Sequence, residues 1–103
     1  MRLEHYPQEK LKEEILTILQ KHLDLEQYRV FFFGSRVEGK GTDRSDIDVG
    51  IEGPRAVPFE TLENIKAEVE RLSTLYKIDI VDFHELPPKF QEVARQHIEI
   101  LNP

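Results

Sequence analysis

Residues 30–51 read VFFFGSRVEGKGTDRSDIDVGI. An apolar run, Val30 to Phe33, meets Gly34-Ser35, and after ten intervening residues Asp46 and Asp48 stand one residue apart inside a second apolar run. The first run is β-branched and aromatic without alternation, the pattern of a strand covered on both faces. From Asp46 to Glu52 the chain alternates, with Asp46, Asp48 and Gly50 on one side and Ile47, Val49 and Ile51 on the other. One face of that strand is expected to be core and the other site. Carboxylates at i and i+2 share a face. A strand rise of about 3.3 Å per residue sets their Cα atoms roughly 7 Å apart, so the side chains can lean together on one cation or bridge two ions about 3.5 to 4 Å apart. A Gly-Ser turn leaving a strand brings N–H groups and a hydroxyl against phosphate oxygens, more so where a short helix begins there. The stretch has the parts of a metal-dependent nucleotide-handling site.

Working outward, Pro7 suits a helix start, and Leu11, Ile15, Ile18, Leu19 and Leu23 follow at helical spacing, which predicts an amphipathic helix over about 7–24. A strand is expected over 28–33, one short helical turn over 36–38, and a mobile loop over 39–43. Gly53 and Pro54 end the second strand. Pro58 opens a second helix with Phe59, Leu62, Ile65, Val69, Leu72 and Leu75 in register. KIDIVDF, residues 77–83, predicts a third strand with Asp79, Val81 and Phe83 on one face and Ile78, Ile80 and Asp82 on the other. After Pro87 and Pro88, residues Phe90, Val93, Ala94, His97, Ile98 and Leu101 predict a last helix that frays or straightens near its end. The fold class expected is α/β (α+β): a small mixed sheet flanked by helices, in the order α, β, short turn, β, α, β, α.

At 103 residues the chain is expected to form one domain, 1–103. It has no cysteine, which excludes disulfides and thiolate metal sites. No charged segment followed by an apolar one opens it, and no run approaches about 18 apolar residues, so a cytoplasmic protein without a membrane association is the expectation. The formal net charge of −6, from 20 acidic and 14 basic residues, argues against a protein that grips a long nucleic acid through its phosphates. A small nucleotide that brings its own magnesium fits acidic surroundings better. The four histidines, His5, His22, His84 and His97, show no ligand spacing and are read as structural or surface residues. Phe31, Phe32 and Phe33 are read as core rather than as a base-stacking platform, because consecutive strand residues point in opposite directions.

Gly34-Ser35, the ten-residue gap, Asp46-Ile47-Asp48 and the later acidic strand together resemble the nucleotidyltransferase superfamily that includes DNA polymerase beta, and most closely its minimal, MNT-domain members. The resemblance covers nearly the whole chain. It implies a polymerase beta palm-like fold in which Asp46, Asp48 and Asp79 are catalytic carboxylates that hold magnesium, expected as two ions. Asp79 is preferred to Asp82, which is read as an exposed strand-end residue. Gly34 and Ser35 would contact the nucleotide phosphates and Arg36 would clamp them; Lys40 and Arg44 are weaker candidates. The implied reaction is transfer of a nucleoside monophosphate, AMP from ATP, to an acceptor, with pyrophosphate leaving.

Minimal members commonly occur beside a HEPN-domain toxin and act as its antitoxin, by binding it, adenylylating it, or both. A chain this short lacks the flanking domains with which larger relatives hold their acceptors, so the acceptor is expected to be a protein. Alternatives are a non-catalytic nucleotide-binding partner subunit and an antibiotic-type small-molecule transferase. Homo-oligomerisation stays open.

Overall fold

The computed structural model describes residues 1, 3–39 and 45–102. The expected loop beyond Gly39, with Lys40 and Arg44, lies outside the described residues. The elements are helix α1 (Gln8–Gln20), strands β1 (Arg29–Phe33) and β2 (Ile47–Glu52), helix α2 (Phe59–Glu70), strand β3 (Ile78–Asp82), a 3-10 turn (Phe83–Glu85), helix α3 (Pro88–Ala94) and strand β4 (Glu99–Ile100). They build a mixed sheet in the order β3-β2-β1-β4, in which β1 is antiparallel to β2 and β4 while β2 and β3 run parallel. The parallel step is made by α2, the crossover helix that such a connection needs. Among the described residues no helix is long and apolar enough to cross a membrane.

Strand alternation sorts the side chains into two layers. Val30, Phe32, Ile47, Val49, Ile51 and Ile80 face the buried stripes of α1 (Leu11, Ile15, Leu19) and α2 (Leu62, Ile65, Val69) in one hydrophobic core. The opposite face carries Phe31, Phe33 and Phe83, edge to face with centroids 4.8 Å (Phe31 and Phe83) and 5.1 Å (Phe33 and Phe83) apart. The second face is thus not site alone, because its lower half is an aromatic core continuous with the sheet. Gly50 admits those rings: a Cβ there would stand 2.5 Å from Phe31 and 2.8 Å from Phe83. Gly50→Ala is expected to destabilise the fold by about 1–3 kcal/mol through overpacking, read as a lowered urea midpoint with an unchanged slope.

Three expectations need correction. The first helix stops at Gln20 rather than running to 24, its end tightened by i→i−3 bonds from Lys21 N–H to Ile18 O and His22 N–H to Leu19 O. Lys21 and His22 then both reach Glu68 of α2, tying the two helices together. In α2, Phe59 precedes the buried stripe and Leu75 lies past the helix end, so both are exposed rather than core. The last helix ends at Ala94, and the following residues form β4, with Phe31 opposite Ile100 and Phe32 opposite Glu99. Ile98-Glu99-Ile100 alternates at the strand period, and its backbone completes the free edge of β1. Asn102 locks this pairing: its Oδ1 accepts from Val30 N–H at 2.8 Å, and its Nδ2 donates to Tyr28 O at 2.8 Å and Leu25 O at 3.1 Å.

Asp82 is the fourth correction. It is 1% exposed, not a solvated strand end. It lies on the face of Ile80, where its carboxylate accepts from Val57 N–H at 2.7 Å and from His84 N–H at 3.0 Å. It caps the 3-10 turn and pins the segment before α2 to the end of β3. His84 reinforces the same junction through Gly53 O at 2.7 Å.

Candidate active site

The turn after β1 is built around one glycine. Gly34 has φ +85°, and a Cβ placed on it would stand 2.1 Å from Asp48 Oδ2. Only a residue without a side chain lets the Asp48 carboxylate lie against the turn, in a left-handed conformation that glycine adopts freely. Gly34 O then accepts from both Val37 N–H and Glu38 N–H at 3.1 Å, forming the short helical turn that the sequence predicts. Ser35 is a half-buried member of that turn. Gly34→Ala carries a backbone cost of about 1–2 kcal/mol and must displace Asp48. A roughly hundredfold loss of transfer is expected, the penalty of misplacing a reacting group by about 1 Å, measured as turnover per folded molecule.

The three carboxylates converge from two neighbouring strands. Asp48 and Asp79 are register partners in the parallel β2/β3 pair, and Asp46 precedes β2 by one residue. Burial pushes the Asp48 carboxyl up to about 6, with the negative charges of Asp79 and Asp46 adding to the effect. Asp46 is 44% exposed at its side chain and faces the Lys77 ammonium, 3.8 Å away. Asp82 lies on the opposite face of the sheet. Among the described residues no group of three His, Cys, Asp or Glu side chains stands closed around a metal position. The donor set nevertheless fits a hard divalent cation: carboxylate oxygens only, repelling one another across adjacent strands, in a place where added positive charge relieves that repulsion.

Arg36, expected as a phosphate clamp, is held by two contacts within the protein. Its Nε donates to Ser45 O at 2.7 Å and its guanidinium lies 4.8 Å over the Tyr76 ring. Both contacts set it at the base of the connection between β1 and β2. Neither Arg36, Ser35 nor Asp46 lines the cleft that opens beside the carboxylates.

That cleft, of about 340 Å³, has Gly34, Asp48 and Asp79 at its polar end and Val81, Leu86 and Phe90 along its apolar wall. Helix α3 supplies much of the wall and is fastened from two sides. Gln91 donates to Phe83 O at 2.6 Å and Leu86 O at 2.8 Å, and Arg95 pairs with Glu52 of β2. The Arg95 hydrogen bond holds the Glu52 carboxyl below its ordinary range. Phe90 and Val93, part of the apolar pattern that predicts the last helix, are 57% and 62% exposed and border the cleft. The apolar wall and Glu38 at the cleft rim were not anticipated. Helical spacing identified an apolar stripe on α3 but not that the stripe faces a cleft.

Comparison with known proteins identifies the family and the fold. The model of the family described as "Polymerase beta, Nucleotidyltransferase" matches residues 9–102. A relative from Haemophilus influenzae named "Probable protein adenylyltransferase MntA" is 28% identical over 88 residues, covering 84% of this chain and 77% of the relative. Two solved structures share the fold. One, described as a toxin-antitoxin with AMP-PNP, superposes with a TM-score of 0.69 at 16% identity, covering 87% of this chain and 71% of that one. The other is a tri-AMPylated Shewanella oneidensis HEPN toxin in complex with MNT antitoxin, with a TM-score of 0.69 at 14% identity over 92% of this chain and 71% of that one.

Proposed function

The chain belongs to the polymerase beta nucleotidyltransferase family, and from that premise we propose that it is a magnesium-dependent adenylyltransferase that moves AMP from ATP to a HEPN-type protein partner and acts as its antitoxin. The observation that carries the reading is the meeting of Asp48, Asp79 and the Gly34 turn at one end of the cleft. The relatives named for protein adenylylation and for MNT–HEPN assembly support the partner class, and the likeness to a structure with AMP-PNP supports ATP.

In this reading the N–H groups and hydroxyl of the Gly34-Ser35 turn bind the terminal phosphates, with Arg36 bracing the turn from Ser45 and Tyr76. Asp46, Asp48 and Asp79 would hold magnesium, and Asp79 stands beside the acceptor hydroxyl. When bound, magnesium neutralises phosphate charge and lowers the pKa of that hydroxyl. The hydroxyl gives up its proton to the Asp79 carboxylate and its oxygen bonds to the α-phosphorus as the bond from the α-phosphorus to the bridging β-phosphate oxygen breaks, so that pyrophosphate leaves with the electron pair. The protein contributes positioning and electrostatics, which suffice for phosphoryl-type transfer.

The test is intact-mass measurement of a co-expressed HEPN-type partner after incubation with the chain, ATP and magnesium. Addition of one or more adenylate groups, dependent on ATP and on the chain, is expected. A stable complex whose partner never gains mass would leave binding alone and overturn the enzymatic reading.

A further inference from the structure

At the rim of the carboxylate cluster, the Lys77 ammonium stands 3.8 Å from Asp46 Oδ2. The root of this side chain is fixed. Lys77 O accepts from Ile47 N–H at 2.9 Å, and the parallel ladder begins at the next pair, Ile47 with Ile78. The backbone that positions Asp46 and Asp48 therefore also positions Lys77. Its side chain is 78% exposed, a flexible four-carbon stem anchored beside the site with its charge free to move. Asp46, Asp48 and Asp79 concentrate negative charge on one spot, and the Lys77 ammonium offsets part of it.

We infer that Lys77 is a resident counter-ion of Asp46 that yields the carboxylate when a nucleotide arrives with its divalent cation, and then moves onto the nucleotide's phosphate oxygens. This rests on the nucleotidyltransferase reading of the site. The consequence is a sign reversal between two ligands. A bare divalent cation must displace the ammonium and then sit beside it, so Lys77 opposes it. A metal–triphosphate complex carries net negative charge, so the released ammonium attracts it. For a solvent-exposed pair each effect is about two- to fivefold in affinity. A merely solvated surface pair would alter neither constant.

The test compares the unsubstituted chain, Lys77→Met, Lys77→Gln and Lys77→Arg by two measurements: manganese binding without nucleotide, by electron paramagnetic resonance, and calorimetric binding of magnesium with a non-transferable α,β-methylene ATP. Both neutral variants are expected to bind manganese about two- to fivefold more tightly and the magnesium–nucleotide complex about two- to fivefold more weakly, and Lys77→Arg to restore both. Constants that stay fixed, or shift in the same direction, overturn the role of Lys77 while leaving the site reading standing. An unsubstituted chain that binds neither manganese nor the nucleotide complex overturns the site reading and this inference with it.

Discussion

Asp48→Asn is expected to reduce adenylate transfer by at least about a thousandfold, since removing several kcal/mol of transition-state charge stabilisation costs about tenfold per 1.4 kcal/mol. The same change should make the free protein more stable at neutral pH. Asp48 is pushed up to about 6 from 3.8 by burial, with Asp79 and Asp46 adding to it. A carboxyl whose folded pKa lies above its unfolded one binds its proton more tightly when folded. Its stabilising contribution is therefore complete below about pH 4 and is lost as pH rises through about 6. Because the side chain is only about half-buried, solvent screening reduces the loss to on the order of 1 kcal/mol. Urea unfolding of the two proteins should give similar stabilities below about pH 4, with Asp48→Asn more stable above pH 6. A variant that is inactive and also less stable at neutral pH would mean that the carboxylate is structural.

Asp82→Ala is expected to have the opposite profile. It removes one carboxylate that accepts two backbone N–H groups, those of Val57 and His84, inside the junction of β3 with the segment before α2. Hydrogen bonds to a charged group contribute about 1.5–3 kcal/mol each, and the stranded donors add a desolvation cost. A loss of about 3–5 kcal/mol follows, a large part of the roughly 5–15 kcal/mol that holds a small domain folded. Transfer per folded molecule should fall little, because the Asp82 carboxylate lies on the face opposite Asp79. Asp79→Asn should do the reverse, losing transfer while keeping its unfolding midpoint. Thermal unfolding and turnover measured on both variants decide which aspartate of KIDIVDF belongs to the site. A full loss of turnover in stable Asp82→Ala protein would exchange their roles.

The site-bearing part of the fold was legible because its signals are local. Period-two alternation places Asp46 and Asp48 on one face of β2, and a glycine at a strand end permits the left-handed turn that the Asp48 carboxylate requires. The face of Asp79 also follows from alternation within β3. What alternation cannot supply is depth. Asp82 reads as a polar strand end until the segment before α2 folds over it and offers the Val57 N–H. The end of the chain was misread for a related reason. Residues 98–101 fit a fraying helix about as well as a short strand, and the choice is made by the open edge of β1 and by Asn102, more than 70 residues distant in sequence from its partners Val30 and Tyr28. The cleft wall escaped because an apolar stripe does not say whether it packs on core or borders a groove, and the Gln91 and Arg95 anchors that orient α3 are tertiary contacts. The contacts of Arg36 with Ser45 O and the Tyr76 ring are tertiary in the same way and carry no local sequence signal.

The central claim is that the Gly34 turn and the carboxylates of Asp46, Asp48 and Asp79 direct attack to the α-phosphorus of ATP. The most direct measurement supplies the chain and its HEPN-type partner with ATP labelled at either the α or the γ phosphorus, in the presence of magnesium, and follows the label onto protein. Label from the α position alone, absent with Asp48→Asn, is the predicted result. Label from the γ position, or α label undiminished in Asp48→Asn, would contradict it.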